Sequence, residues 1–305
     1  MAKNSTDNNF RKDENLLVKP GVKFKLKDFD TKYTAGYKDK EDAAEMLQKD
    51  ITRLSELQDT LYAMNKYSLL VVIQAMDAAG KDGTIKHVMT GVNPQGCNVT
   101  TFKQPSTEEL KHDFLWRVNR AMPQRGMIAI FNRSHYEEVI VTRVHPEYIV
   151  SQNIPGIDSV DKVDKKFWSR RFEIINNFEQ QAYENGTIII KFFLHVSKDE
   201  QKKRFLARID EPEKNWKFSA SDIKERLFWD DYMAAFEDAI SNTSTEYAPW
   251  YVIPADKKWF MRAAVGDIIV GTLEKLDLKY PKINDKQKDD LEKAKILILN
   301  EDSGK

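Results

Sequence analysis

The 305-residue sequence holds one cysteine, Cys97, which excludes an internal disulfide and any zinc cluster built on cysteines. Neither charge is in excess: 48 Lys and Arg stand against 48 Asp and Glu. No global field therefore draws the chain to nucleic acid or acidic lipid, and an anion site has to be a local cluster. Long apolar runs are missing as well. Leu69–Ile73 is five residues, where a membrane span needs about twenty. The opening MAKNSTDNNFRKDEN is polar and leads into no apolar stretch, unlike a signal peptide. The expected address is the cytoplasm, with neither a membrane nor a nucleic acid as partner. No internal repeat or low-complexity tract stands out.

What is present belongs to a folded protein. Six Trp, eleven Tyr and sixteen Phe need burial, within 41% apolar and 31% charged residues. At about 150 residues per domain the length allows one large α/β domain or two modest ones. Five β-rich apolar runs are expected as strands: 68–76, 97–103, 127–132, 187–196 and 249–254. Ahead of the first, Leu47, Ile51, Leu54, Leu57 and Leu61 fall at helical spacing, as do Leu110, Phe114, Leu115, Val118 and Met122 between the second and third. A further helix over 167–182 should stop at Asn185-Gly186. Ser106, Ser134 and Ser197 each precede a Glu by three residues, the spacing of a capping box. Strand and helix in alternation predict a parallel sheet with helices on both faces. Residues 1–40 read as an arm, frayed over about the first fifteen and irregular after that. Residues 41–280 read as the catalytic domain, and 281–305 as a polar tail with a loosely held helix.

Two segments carry chemistry. Ala75-Met-Asp77-Ala78-Ala79-Gly80-Lys81-Asp82-Gly83-Thr84 follows a buried strand and leads into a helix. Small residues there let backbone N–H groups curl round a phosphate at a helix N-terminus, with the lysine reaching outward. The strict G-x-x-x-x-G-K-[ST] pattern is not met, and a plain strand-to-helix turn with a solvated lysine stays open. Asp77 is electrostatically wrong in an anion loop unless it holds a cation or steers the substrate; an ordinary N-terminal helix acid is the alternative. The second segment is Asn132-Arg133-Ser134-His135-Tyr136-Glu137-Glu138, at the end of a strand where open α/β sheets bind ligands. Arg133 suits a phosphate clamp or a local pair with Glu137 or Glu138, and His135 suits a hydrogen-bonding role. Nine basic and seven acidic residues share 198–226, where two helices with a Pro-broken basic hinge suggest a lid.

With these segments on the page, the sequence resembles the polyphosphate kinase 2 family over roughly 27–276. The likeness is carried by MDAAGKDGTIKHV, GVNPQG, FKQPS, DFLWR, FNRSHYEEV, KFFLHVSKDEQKKRFLARID, NWKFS, WDDYMAAFEDA and APWYVIPADKKW. It implies a P-loop kinase-like three-layer α/β/α fold, a five-stranded parallel sheet and a helical lid at about 198–226. The implied activity is reversible, Mg2+-dependent transfer of the terminal phosphate of inorganic polyphosphate to AMP and ADP, with Mn2+ as an alternative to Mg2+ and guanine nucleotides as further acceptors. A homodimer or homotetramer is implied too. Asp77 matches the family acid and metal ligand, Lys81 the phosphate-binding lysine, and Arg133 and Arg143 arginines near the phosphates. Ala78, Ala79, Gly80, Asp82, Gly83 and Thr84 complete the phosphate loop, and Arg204, Arg208, Lys214 and Lys217 fall in the lid. Lys103 belongs to the channel or acceptor side; Asn132, Arg117 and Glu137 belong to the nucleotide. Where the family often reads FDRSWYNR, this chain reads FNRSHYEE, like the subgroup acting on AMP as well as ADP. Glu137 is thereby expected to help admit the monophosphate, and Asn132 weakens the case for a metal ligand there. An ATP-dependent nucleoside monophosphate kinase is the rival enzyme, disfavoured by the missing Ser/Thr after Lys81. A non-catalytic polyanion-binding module is disfavoured by Asp77 beside Lys81.

Overall fold

In the computed structural model, which describes residues 10–37 and 39–301, the apolar runs pair into one sheet. Its strands are β1 (Leu17–Val18), β2 (Ser68–Ala75), β3 (Cys97–Thr101), β4 (Ile128–Asn132), β5 (Thr187–His195) and β6 (Trp250–Pro254). Their order is β1-β6-β5-β2-β4-β3, with β2 to β6 mutually parallel. Central β2 is buried on both sides, which explains why Leu69–Ile73 shows no polar alternation. The sheet has six strands and not the five expected. The extra one, β1, comes from the stretch read as an irregular arm and runs antiparallel to β6, Leu17 opposite Tyr251 and Val18 opposite Trp250. Phe10, Leu16, Phe24 and Leu26 also enter the core, so the chain is packed from residue 10. The fraying expected of residues 1–9 lies outside the described residues.

Helices α1 (Lys40–Met64), α2 (Lys81–Val88) and α10 (Lys258–Glu274) pack together on the sheet. A second group is formed by α4 (Glu137–Val144), α6 (Lys165–Glu184) and α9 (Trp229–Thr243). Helix α6 ends where expected, with Gly186 left-handed at φ +92°. The helix expected over 106–122 does not form as one piece. The reciprocal box between Ser106 and Glu109 closes only a 3-10 turn at Glu109–Lys111. The Asp113 carboxylate then accepts from the Leu115 N–H at 2.9 Å, and a separate α3 (Trp116–Ala121) begins beyond that turn. After α5 (Glu147–Val150), residues 198–228 give α7 (Lys198–Asp210), a 3-10 segment at Pro212–Lys217 and α8 (Ala220–Glu225). The tail forms α11 (Asp285–Asn300), capped by Asn284 and Gln287 and exposed along its length. Among the described residues no helix is long and apolar enough to cross a membrane.

Between α1 and α10 the fold buries an acid. Asp50 faces Gly266, its Oδ2 lacks a hydrogen-bond partner, and burial, with help from Asp267 and Glu274, pushes its pKa up to about 7. A carboxyl whose folded pKa lies above its unfolded value near 3.8 favours the fold while protonated. That contribution is complete below pH 3.8 and disappears as pH rises through about 7. Asp50→Asn should therefore stabilise the protein by about 1–2 kcal/mol at pH 8 and hardly at all at pH 4. Urea melts at the two pH values would show this, and a gain of equal size at both would remove ionisation as its cause.

Candidate active site

The segment after β2 leaves regular geometry at once. Ala78 and Gly80 are left-handed, at φ +60° and +114°, and a Cβ on Gly80 would come within 3.1 Å of Met261 Cε. The left-handed backbone favours glycine at 80, and a side chain there would also press on Met261. The turn is held from below by α7. Gln201 Nε2 donates to Asp77 O at 2.9 Å, and Arg204 Nη1 donates to Ala78 O at 3.1 Å and Ala79 O at 2.6 Å. Lys81 opens α2, its Nζ donating to Ala75 O at 2.9 Å. Burial pulls the lysine pKa down, opposed by Asp77 and reinforced by Arg133.

Facing this turn is the strand-end loop after β4. Arg133, left-handed at φ +61°, donates from Nη2 to Asp77 Oδ1 at 2.9 Å, with Nη1 3.6 Å from Glu137 Oε2. Burial raises the Glu137 pKa, and Arg133 and Lys81 offset part of the rise. The spacing Ser134-x-x-Glu137 makes no capping box here. Ser134 Oγ instead accepts from Gln74 Nε2 and from the Tyr136 N–H, at 3.0 and 3.1 Å, and Glu137 turns toward the cavity. Ser197 makes half a box: it caps Glu200, but the Glu200 carboxylate goes to Arg204 Nε at 2.8 Å.

A cavity of about 540 Å3 opens in front of both loops, walled by Asp77, Lys103, Arg117, Arg133, Glu137 and Asp222 among others. A larger concavity of about 780 Å3, lined by Phe114, Ile154 and Phe167, contains no residue of either loop. The smaller one is the candidate site because the converging charges are there.

The remaining expected residues divide. Asn132 Nδ2 donates to Asp82 Oδ1 at 2.7 Å, so those two side chains engage each other. Thr84 is buried and donates to Gly80 O at 3.1 Å. Gly83 lies against Arg262, whose Nη2 is 3.7 Å from where a Cβ would stand. Arg117 reaches the cavity wall but donates to Lys103 O at 2.7 Å and lies over the Phe102 ring. Arg208 pairs with Asp222 at 3.3 Å. Lys214 pairs with Glu211, and Lys217 lies over the Trp216 ring on the exposed 3-10 segment. Two arginines depart from expectation. Arg143 turns away from the loops, to Asp238 at 3.0 Å and the Trp168 ring. Arg204 is buried and serves four backbone carbonyls, of Ala78, Ala79, Ala255 and Asp256, so in this structure it braces the turn.

Sequence reading missed the mount beneath the strand-end loop. Lys191 Nζ, fully buried, donates to Glu179 Oε2, Tyr136 Oη and Thr243 O at 2.5, 2.8 and 2.7 Å. Glu179 Oε1 also accepts from Tyr136 Oη at 2.8 Å and lies 3.1 Å from His135 Nε2. Burial acts to raise the Glu179 pKa, but Lys191 and His135 outweigh it and keep the carboxylate ionised. Residues 134–136 are thus tied into the core while 133 and 137 on either side reach the cavity. The one charge inside TIIIKFFLHV was the available signal.

The fold and site define a mixed α/β protein with a loop-to-helix cradle and a cation–carboxylate cluster at the carboxyl ends of parallel strands. The family model for polyphosphate kinase 2 matches residues 37–281, and the chain belongs to that family. It is 51% identical over 288 residues to an ADP-polyphosphate phosphotransferase of Rhodopseudomonas palustris, covering 94% of this chain and 99% of the relative. It is 47% identical over 265 residues to an AMP/ADP-polyphosphate phosphotransferase of Meiothermus ruber, covering 87% and 94%. The solved polyphosphate kinase 2 of Arthrobacter aurescens superimposes with a TM-score of 0.81 at 43% identity, over 89% of this chain and 92% of that one.

Proposed function

We propose that the protein transfers the terminal phosphoryl group of inorganic polyphosphate to AMP and to ADP, giving ADP and ATP, and that it also runs in reverse. The observation that carries this is the meeting of Asp77, Arg133 and Glu137 at one cavity, with buried Lys81 close enough to interact with all three charges. The chain end would sit in the cradle of residues 77–84, against Lys81. An oxygen of the nucleotide's last phosphate attacks the end phosphorus in line, and the shortened chain leaves. Both reactants are polyanions, so catalysis rests on neutralising repulsion and holding alignment. Arg133 exchanges Asp77 for the transferred group, which frees the carboxylate. Among the described residues no three acids, histidines or cysteines gather into a metal cage. Asp77 alone fits Mg2+, which commonly takes one or two protein carboxylates and leaves other positions to phosphates and water; Mn2+ would fit likewise. When bound, the metal would neutralise phosphate charge.

Lys103, Arg117 and Asn132 lie on the acceptor side, with adenine and then guanine nucleotides as acceptors. Residues 198–226 act as the lid, with Arg208, Lys214 and Lys217 exchanging their present partners for phosphates. The assembly is a homodimer or homotetramer, by analogy with the family, and the cytoplasm is its place of work.

The test is a coupled assay with purified protein, long-chain polyphosphate, Mg2+ and each of AMP, ADP and GDP. Product should form from AMP and ADP with no ATP supplied. Turnover only with ATP as donor would overturn the proposal. In the same assay Glu137→Asn should lower kcat/KM for AMP about tenfold while ADP changes by no more than about threefold. Equal losses would remove Glu137 from acceptor choice.

A further inference from the structure

The larger concavity, of about 780 Å3, is walled by apolar side chains, among them Phe114, Ile154, Ile157 and Phe167, yet it has a cation set into its wall. Arg171 follows Phe167 by one turn of α6 and is only 4% exposed. Its guanidinium carbon lies 4.1 Å from the centroid of the Phe114 ring and 5.0 Å from that of Phe167. Nη2 donates to Gln152 Oε1 at 3.1 Å. Nη1 is shielded from solvent and makes no hydrogen bond; Glu138 Oε2 stands 3.7 Å away. Burial pulls the Arg171 pKa down to about 10 against the pull of Glu138, so the group is still a cation at neutral pH. Lys162, Lys166 and Arg170 also line the concavity, against the acids Asp113 and Asp164, each of which already accepts a backbone N–H. An under-bonded guanidinium in an apolar cleft calls for a ligand with both an anionic head and an apolar body. A bare inorganic anion would answer the charge and leave the rings wet.

We infer that this concavity is an effector site for a small amphipathic anion, an aliphatic or aromatic body carrying one carboxylate or phosphate, whose head takes the free donor of Arg171. The site is linked to the acceptor wall through two side chains. Gln152 Nε2 donates to Glu138 Oε2 at 2.6 Å, and Glu138 Oε1 lies 3.7 Å from Arg117 Nη2. Gln152, Glu138 and Arg117 all line the cavity in front of the two loops. A head group on Arg171 draws the guanidinium from Glu138 and leaves that carboxylate to Arg117, which is then held back from the acceptor. The effector is thus an inhibitor that acts on KM for the nucleotide. This coupling rests on the reaction and the acceptor side proposed above, whereas the binding does not.

The test is titration calorimetry on the purified protein with octanoate, octyl phosphate and octanol. At least one of the two anions should bind with Kd below about 1 mM, and octanol at least about tenfold more weakly than that anion. Arg171→Lys, which keeps the charge and loses the fork, should weaken the anion about tenfold. Ile154→Trp, which fills the concavity and touches neither loop, should abolish binding while turnover of AMP without effector stays at the wild-type rate. It decides the question if Arg171→Lys fails to fold. The bound anion should raise the wild-type KM for AMP about fivefold with kcat unchanged, and should do nothing to Ile154→Trp. Octanol binding as tightly as the anions, anion binding that survives in Ile154→Trp, or no binding at all would overturn the site. So would a variant that changes only the oligomeric state, since the concavity would then be covered by a second copy. Binding that leaves KM unmoved would overturn the coupling. Anion binding lost in the variants, with no wild-type turnover from polyphosphate, sinks the reaction and keeps the site. Turnover with no anion binding does the reverse.

Discussion

Lys81→Ala should lower phosphoryl transfer at least about a hundredfold, close to 3 kcal/mol, through kcat more than through KM. The amine is buried, it is the first residue of α2, and it points back into the turn that would hold the chain end. Its present contacts, Ala75 O and Met76 O at 2.9 and 3.4 Å, are carbonyls that water can satisfy in its place. The thermal melt should therefore shift by no more than a degree or two, because a buried ammonium is itself unfavourable and its loss offsets those contacts. Single-turnover transfer and calorimetry on the same preparation would check both halves. A variant that folds like wild type and still transfers phosphate within a factor of five would exclude Lys81 from the chemistry.

Lys191→Met should destabilise the protein by about 3–5 kcal/mol, because it leaves the Glu179 carboxylate charged and fully buried with its main partner gone. The double variant Lys191→Met/Glu179→Gln should recover a large part of that, since the uncompensated charge is removed with its partner. Chemical denaturation of the three proteins gives the comparison. A loss below about 1 kcal/mol in the single variant would show that the pair contributes no fixed charge to the core. The double variant is informative about the site too. His135 and Tyr136 hang from Glu179, and Arg133 is kept left-handed next to them. A refolded but loosened mount should therefore show a reduced kcat with a nearly wild-type melt.

Strands β2, β4, β5 and β6 were legible because a strand covered on both faces has to be apolar throughout, whereas β3, largely exposed at the sheet edge, showed only through its β-branched residues. The break near Asp113 was not: the helical stripe from Leu110 to Met122 is real, but a side-chain hydrogen bond to Leu115 ends the turn locally. Strand β1 escaped notice since two residues carry no period. For the site, Asp77, Lys81, Arg133 and Glu137 could be found from their place at strand ends. What the basic residues meet could not be read. Arg143 and Asp238, or Arg204 and Ala255 O, are far apart in the chain and meet only in the folded molecule. A basic side chain reaches a phosphate, an acid or a carbonyl with the same chemistry, so residue type alone does not choose among them.

The two-residue strand at the sheet margin has a consequence for biosynthesis. Leu17 and Val18 leave the ribosome long before Trp250 and Tyr251, their partners in the sheet. Until β6 arrives Leu16 lacks its partner Val252, and Phe10, which packs on Phe260 and donates its N–H to Asp267, waits longer still for α10. Closure at this seam cannot precede synthesis of β6, and nascent chains halted shortly before residue 250 should be in particular need of a chaperone.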